Sequence, residues 1–495
     1  MKIHVTEGKW SKTCTTESDL LNNNLAFPEI SDIMQYVEQR NLITYIVSGA
    51  KYGPDTAPRD NTLKTKIGAI PEGKLIGSSG YRYRIMGRIQ KPSKIVAEVG
   101  AATEGGYFQL AMEDSMLYPG LVVNFATVNL QARVDSAGTG AEGNKVYTFK
   151  TTDGTKFDYA TWVAPMTDKK LFAGYSSYGE KSVRGYSRAY YPDTFINHTG
   201  IQRKSCGQSG GVTPTVLWVK PHGAKNSGWY YEQIAQMNKQ MSLEDEFSKM
   251  FGRSNMVNTD GTVKEVSTEI DSESGYPITR GSGVWEQIEG INDSWTSGIN
   301  GLATHEDFRE HMNHLRDHCD GLTGNTFYAI TGKSGMTNAY DVLEEKSRGS
   351  YNMTVNQNSS NAVGGPDVAV GYNFNTLNVD GNQVIFVEHP MMTDRERFSE
   401  EAVDGTRTMS GSYIFLNFGE KNNSGQKNIE ILGRGAYGVN RTHISATIAG
   451  MTGYYKSLGQ KPLSSIDADE YHTLKEDGIF IYNTKCCGIL HRSKS

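Results

Sequence analysis

The chain has 495 residues, 37% hydrophobic and 10% aromatic, enough apolar surface for two or more packed domains, which excludes a disordered scaffold. A formal net charge of −5 and a pI near 6.2 exclude a dedicated nucleic-acid binder, for which a basic balance is expected. No run of about 18 apolar residues occurs, so no membrane-spanning helix is expected.

Residues 1 to about 80 are polar, with one short helical stripe (Ile30, Ile33, Met34, Val37) and loop chemistry at Gly53-Pro54, Pro58 and Gly77-Ser-Ser-Gly80. That is too little apolar surface for a core, and the segment reads as an arm. Met1 to Glu7 has no apolar export region. Between Arg59 and Lys94 stand nine basic residues (Arg59, Lys64, Lys66, Lys74, Arg82, Arg84, Arg88, Lys91, Lys94) against Asp60 and Glu72, a local excess of seven. Such a run forms either a solvated basic face or a contact with an acidic surface on a neighbouring subunit, with nucleic acid a lesser alternative.

From Leu121 to about Ala164 the chain is strand-like. Val128, Leu130, Ala132 and Val134 alternate with Asn129, Gln131 and Arg133, and Lys145 to Lys150 repeats the period of two. The glycine-rich connection Asp135 to Gly143 predicts a wide hairpin tip. A two-stranded ribbon of this kind has unpaired edges and is marginal in water, so it needs a neighbour.

A long helix is expected from Gly228 to Gly252. Its apolar side runs through Tyr230, Ile234, Met237 and Met241, continues at Phe247 and Phe251 after a turn carrying Glu244, Asp245 and Glu246, and stops at Gly252. Asn255 to Ser282 is polar and rich in glycine and serine, a loop crossing into a second domain. That domain opens with a helix from Thr304 to about Cys319, with Thr304 and Asp307 as a loose capping box and Phe308, Met312, Leu315 and Cys319 as its core face. A strand at 325–331, a helix from near Asn338, and a hairpin turning at Asp380-Gly381 follow. Gly478 to Leu490 reads as one buried terminal strand.

Several groups imitate chemistry. Thr331-Gly332-Lys333-Ser334 resembles the end of a phosphate-binding loop, but Phe327 stands where the loop requires glycine, so an ordinary strand-to-helix turn is expected. His311, His314 and His318 are expected on one helix flank, His314 and His318 at a chelating i, i+4 spacing. They are the nearest approach to a metal set, yet no second HExxH histidine or cysteine pair joins them, and a titrating surface or interface helix is the preferred reading. No metal, cofactor or catalytic residue is assigned. Glu388, His389 and Asp394 imitate an acid/base set with nothing to pair them. Five dispersed cysteines, Cys486 and Cys487 adjacent, form no disulfide framework and suit a reducing compartment, and six N-x-[ST] sequons are what an Asn/Ser/Thr-rich chain produces by chance.

The order of elements, polar arm, extended β region, long helix, then a mixed domain with a strand-rich return, resembles the major capsid proteins of tailed double-stranded DNA phages, which share the Hong Kong 97-like fold. Lys170 to Gly174, Trp229 to Gln233, Gly283 to Ile288, Tyr328 to Gly335 and the Gly478 to Leu490 tail look like the larger members, including crAss-like phages. The resemblance implies an α+β chain with an N-terminal arm (1–80), an extended β-hairpin E-loop (81–170), a P-domain (171–290) whose spine helix is 228–252, an A-domain (291–430) and a C-terminal return (431–495).

It further implies a non-enzymatic protein that self-assembles into hexamers and pentamers of an icosahedral head shell. Its place would be the virion, with assembly in the bacterial host cytoplasm. Expected partners are further copies, scaffolding, portal, head-decoration and auxiliary proteins, and packaged double-stranded DNA by weak non-specific contact. No membrane partner is expected. The alternatives are a tail or decoration protein, or a carbohydrate-active or carbohydrate-binding β protein, the latter suggested by 27 Tyr and 6 Trp.

Overall fold

The computed structural model describes residues 74–85, 93–113, 117–158 without 126 and 140–144, 170–182, 185, 193–209, 229–258, 262–316, 319, 322–323, 326–348, 376–379, 381–402 without 395, 404–405, 408–421, 427–451 without 437–438, and 465–494. The arm as far as residue 73, with its helical stripe, and His318 lie outside the described residues. The chain divides into two compact units, Tyr83–Phe195 and the remainder, Met1–Arg82 with Ile196–Ser495.

After the short strands β1 (Lys74–Ile76) and β2 (Gly80–Ile85), the first unit is a closed antiparallel barrel. Its staves are β3 (Ser93–Val99), β4 (Tyr107–Met112), β5 (Leu121–Phe125), β6 (Thr127–Thr139), β7 (Lys145–Thr151) and β8 (Lys170–Ser176), in the order β3-β4-β7-β6-β5-β8. The expected hairpin is present, since β6 and β7 pair from Ala132↔Thr151 to Thr139↔Lys145. It is not, however, an open ribbon, and the expected boundary at 170 falls on the strand that closes the barrel, through Ser93↔Leu171 and Lys94↔Lys170.

The reason is the inward face. Phe108, Phe125, Phe149 and Phe157 pack with Leu110, Val123 and Leu171 into one core, Phe108 stacking on Phe157 at 3.5 Å and on Phe149 at 5.2 Å. So much aromatic surface is stable only when covered on all sides, and closing the sheet also removes most of the edges that made the ribbon marginal.

In the second unit the elements are β9 (Asp193–His198, entered from the barrel unit), β10 (Gly200–Ser209), α1 (Trp229–Phe251), α2 (Val284–Ile288), β11 (Asp293–Trp295), α3 (His305–Arg316), β12 (Leu322–Thr323), β13 (Thr326–Thr331), α4 (Lys333–Arg348), β14 (Thr376–Val379), β15 (Asn382–Glu388), α5 (Pro390–Thr393), α6 (Thr408–Gly411), β16 (Tyr413–Asn417), β17 (Glu420–Lys421), β18 (Ile429–Ala436), β19 (Val439–Asn440), β20 (Ile444–Ile448), β21 (Ala468–Ile481) and β22 (Gly488–His491). They build two six-stranded sheets. One runs β1-β18-β21-β10 with β19 and β20 attached; the other runs β11-β22-β16-β13-β15-β14.

The second sheet is buried on both faces, so its strands alternate between two cores rather than between core and solvent. Phe327 and Ala329 of β13, with Tyr413 and Phe415 of β16, face α3 and α4 through Phe308, Met312, Leu315, Ala339 and Val342. Ile330, Ile414 and Leu416 face the other way, toward Met250, Val284, Ile288, Ile431 and Ile481. The tail is two strands rather than one. A 3-10 turn at Thr484–Cys486 interrupts it, so that β21 completes the first sheet while β22 inserts between β11 and β16 of the second.

The capping box at Thr304 forms, the Asp307 N–H donating to Thr304 Oγ1 at 3.2 Å and the Thr304 N–H to Asp307 Oδ2 at 2.7 Å. At α1 the outcome differs from expectation. The helix runs unbroken through 244–246 as expected, but its buried side is different: the i+4 series from Met237 and Met241 continues to Asp245 and Lys249, which are buried with Glu246 and Met250, whereas Phe247 is 38% exposed. Gly252 is not in the left-handed conformation. Glycine is needed there because a Cβ would lie 2.3 Å from the Ser248 carbonyl oxygen, where Gly283 also packs against the helix end.

Candidate functional site: a buried charge seam and a free barrel edge

Side chains two apart on a strand share a face, and so do those four apart on a helix. Lys475 and Asp477 of β21 therefore meet Asp245 and Lys249 of α1. The Asp245 carboxylate pairs with both Lys249 and Lys475; Asp477 Oδ2 lies 2.9 Å from Lys249 Nζ and 3.1 Å from Lys475 Nζ. All four are buried. Two cations and two anions sum to zero, the condition under which charges tolerate removal from water.

Burial alone would raise the Asp245 carboxyl, but Lys249 and Lys475 override it and hold it below the usual carboxylate range. Asp477 is pushed up by burial and by the Asp245 charge, and Lys475 is pushed down by burial and by Lys249. On the opposite face of β21, Glu476 receives Arg434 at 2.9 Å and Arg441 at 2.5 Å. A groove of about 220 Å³ opens beside the seam, lined by His198, Ile201, Ser248, Lys249, Arg280 and Asp477. Its two buried charges, Lys249 and Asp477, are already paired with each other.

The residues singled out from sequence fall into structural roles. His389 is buried, its Nδ1 accepting the Met391 N–H at 3.2 Å, so its Nε2–H donates to Glu246 Oε1 at 3.0 Å. That fixes α1 against the end of β15 and takes His389 out of any set with Asp394. At the start of α4, the Lys333 N–H donates to Thr393 Oγ1 at 2.9 Å and the Ser334 N–H to Ser410 Oγ at 3.1 Å. Amides that a phosphate would need are held by hydroxyls, and a Cβ on Gly332 would collide with Ser410. Cys487 is buried and its thiol pushed up to about 12 by that burial.

The histidine flank divides. His314 is exposed, but His311 turns into the core, its Nδ1 2.9 Å from Ser294 Oγ and its ring 4.8 Å from that of Phe415. The helix drifts 100° per residue, which brings position 311 round to the sheet beside Phe308 and Met312. Among the described residues no group of three or more His, Cys, Asp or Glu is placed to hold a metal. Burial, with His314 and His491 adding to it, pushes His311 down to about 3. A depressed imidazole contributes stability that is complete above its ordinary value near 6.5 and is lost as pH falls through the folded value. The melting temperature of the subunit is therefore expected to fall on acidification from pH 6.5 to 4, and His311→Leu to flatten that slope. An unchanged slope in the variant would remove His311 as its source.

Among the described residues, one strand is left partly unpaired. β6 meets β5 only as far as Val122↔Arg133, a bulge follows between Val134 and Ser136, and residues 136–139 pair with β7 alone among the described residues. Asp135 to Gly138 are exposed. A free strand edge beyond a bulge is a template for another chain.

Sequence reasoning found the hairpin and missed the seam. The signal was there: three consecutive charged residues, Lys475, Glu476 and Asp477, inside a strand whose end is the apolar Ile479-Phe-Ile481.

Paired charges lock elements together, hydroxyls cap the amides at the start of α4, and the barrel has an exposed strand edge among the described residues. A family model described as the Crassvirus major capsid protein matches residues 2–494, and the chain belongs to that family. It is a structural protein of the phage capsid shell, with its place in the virion. Similar solved structures include the capsid of Myoviridae phage XM1 (9% identity, TM-score 0.34, 65% of this chain and 82% of that one). The cyanophage Pam1 capsid (10%, 0.33, 64% and 83%) and that of cyanophage P-SCSP1u (10%, 0.32, 65% and 81%) are alike to a similar degree. No curated protein matches.

Proposed function

We propose that the chain forms hexamers and pentamers that close into an icosahedral head shell around the phage genome. In this reading α1 is the spine helix of a P-domain, the sheet containing β13 and β16 belongs to an A-domain near each capsomer axis, and the barrel unit takes the part of the E-loop. The arm of residues 1–80 reaches neighbouring subunits. Scaffolding, portal and decoration proteins are its further partners. Its near-neutral charge suits a wall that faces DNA without gripping it, since neutralising many phosphates would bind the genome tightly and with steep salt dependence. Assembly takes place in the host cytoplasm, and no step of it calls for catalysis.

The observation that carries this reading is the projecting edge of β6, which a monomer has no use for and a neighbouring subunit can cover. Deleting residues 135–144 is expected to leave a folded chain that rarely closes shells, scored by sedimentation and negative-stain microscopy beside the full-length protein. Shells from the deletion in normal yield would take the hairpin out of assembly.

A further inference from the structure

Along one line, α1 and β21 meet in rungs. Met241 Sδ lies 3.7 Å from Thr473 Oγ1, Asp245 pairs with Lys475, and Lys249 Nζ lies 2.9 Å from Asp477 Oδ2. The rungs keep step because four residues of helix rise about 6 Å and two residues of strand about 6.7 Å. The two charged rungs close into a square. Asp245 also pairs with Lys249, and Lys475 with Asp477 at 3.1 Å, so every side joins opposite charges and each diagonal joins like ones.

Stability does not account for this arrangement. Four apolar side chains of similar volume would hold α1 at least as firmly, because the attraction within a buried ion pair does little more than offset its lost hydration. What apolar packing would not supply is alignment. Among the described residues, the apolar side chains that α1 buries are Met237, Met241 and Met250. Methionine is unbranched and adaptable, so it fills the space offered by several alignments of a helix on a sheet. The charges do not tolerate such freedom. A slip of one turn brings Asp245 against Asp477 in one direction and Lys249 against Lys475 in the other, in a buried site where like charges repel far more strongly than in water.

We propose that the four charges are a register key, which selects one alignment of α1 on β21 out of those its methionines would allow. The alignment reaches beyond one sheet. β21 is a strand of the first sheet, whereas Glu246, next to Asp245 on α1, accepts from His389 Nε2 at 3.0 Å, at the end of β15 in the second. One position of α1 therefore sets both sheets, and with them the surfaces that a copy turns toward its neighbours. A shell repeats its contacts from copy to copy, so subunits that differ by a turn of helix would not close together. That last step rests on the shell reading; the key itself is a property of the subunit.

The test reverses charges in the full-length chain without altering their balance. D245K/K249D on the helix and K475D/D477K on the strand each keep two cations and two anions, but each turns two sides of the square into contacts between like charges. Either reversal is expected to lower the melting temperature of the subunit by about 5–10 °C and the yield of sedimenting shells about tenfold. The two reversals combined in one chain restore opposite charges on every side and are expected to recover at least half of both losses. A single reversal that melts and assembles like the wild type would show that balance alone matters and would overturn the key, as would a combined variant no better than either reversal. If neither reversal folds, D245L/K249M/K475M/D477L reads the key from the other side. That chain is expected to melt at or above the wild-type temperature yet to give mixed, poorly closed assemblies by negative-stain microscopy, and uniform shells in wild-type yield would overturn the key. A wild-type chain that forms no shells would remove the shell reading, and the melting temperatures would still decide the key.

Discussion

Replacing Lys475 with methionine is expected to lower the unfolding free energy of the subunit by about 3–5 kcal/mol, the cost of leaving a buried charge without its counterion. The methionine fills much the same volume, so the loss is electrostatic rather than a cavity. It leaves Asp245 and Asp477 sharing Lys249 alone, with both carboxylates buried. Lys475→Met with Asp477→Asn restores a one-to-one balance and is expected to recover most of the loss. Denaturant titration of the unassembled subunit measures both. Equal losses in the single and double variants would show that the seam does not depend on its charge balance.

The seam also has a pH signature. Asp245 has its folded carboxyl held below the ordinary range, so its contribution is complete above about pH 4 and is lost as pH falls through the depressed value. Asp477 runs the opposite way: its raised carboxyl contributes most below the ordinary range, and that contribution is lost as pH rises through the folded value. The two oppose each other, so Asp477→Asn is expected to improve stability at neutral pH relative to what loss of one ion-pair partner alone would give.

The second large effect lies in the barrel. Phe108→Ala is expected to cost about 3–5 kcal/mol, because the side chain is 2% exposed and its ring stacks on both Phe149 and Phe157 in a closed core with little room to collapse. The loss should appear in the barrel unit of Tyr83–Phe195, read as faster limited proteolysis there while cleavage in the rest of the chain is unchanged. Tyr107→Ala, one residue away but facing outward under the Lys150 ammonium at 4.9 Å, is expected to cost no more than about 1 kcal/mol. Similar losses for the two would mean that the barrel interior is not where the unit gets its stability.

A sequence pattern reports which residues avoid water, and that made the hairpin of β6 and β7, the helices α1, α3 and α4, the turn at Gly381 and the capping box at Thr304 legible. The same local rules rejected the phosphate loop at 331–334, where Phe327 excludes the required glycine. Family membership was legible too, in the order of elements rather than in any catalytic motif.

What periodicity does not carry is the partner on the far side of each face. The ribbon's alternation was visible, but only the pairing of β3 with β8 turns an open hairpin into a barrel, and that pairing joins residues more than 70 positions apart, Ser93 with Leu171. The helix α1 was expected to bury Phe247, and instead buries Asp245 and Lys249, because the opposite charges that make this possible arrive on β21, more than 200 residues later. His311 moved from a supposed flank to the core for the same reason, since only the sheet holding Phe415 defines which side of α3 is inside. The sequence by itself determined the family and most of the elements, because both are written in local pattern; the tertiary structure decided which edges close, which charges are buried together and which apolar side chains stay exposed, because each depends on residues distant in the chain.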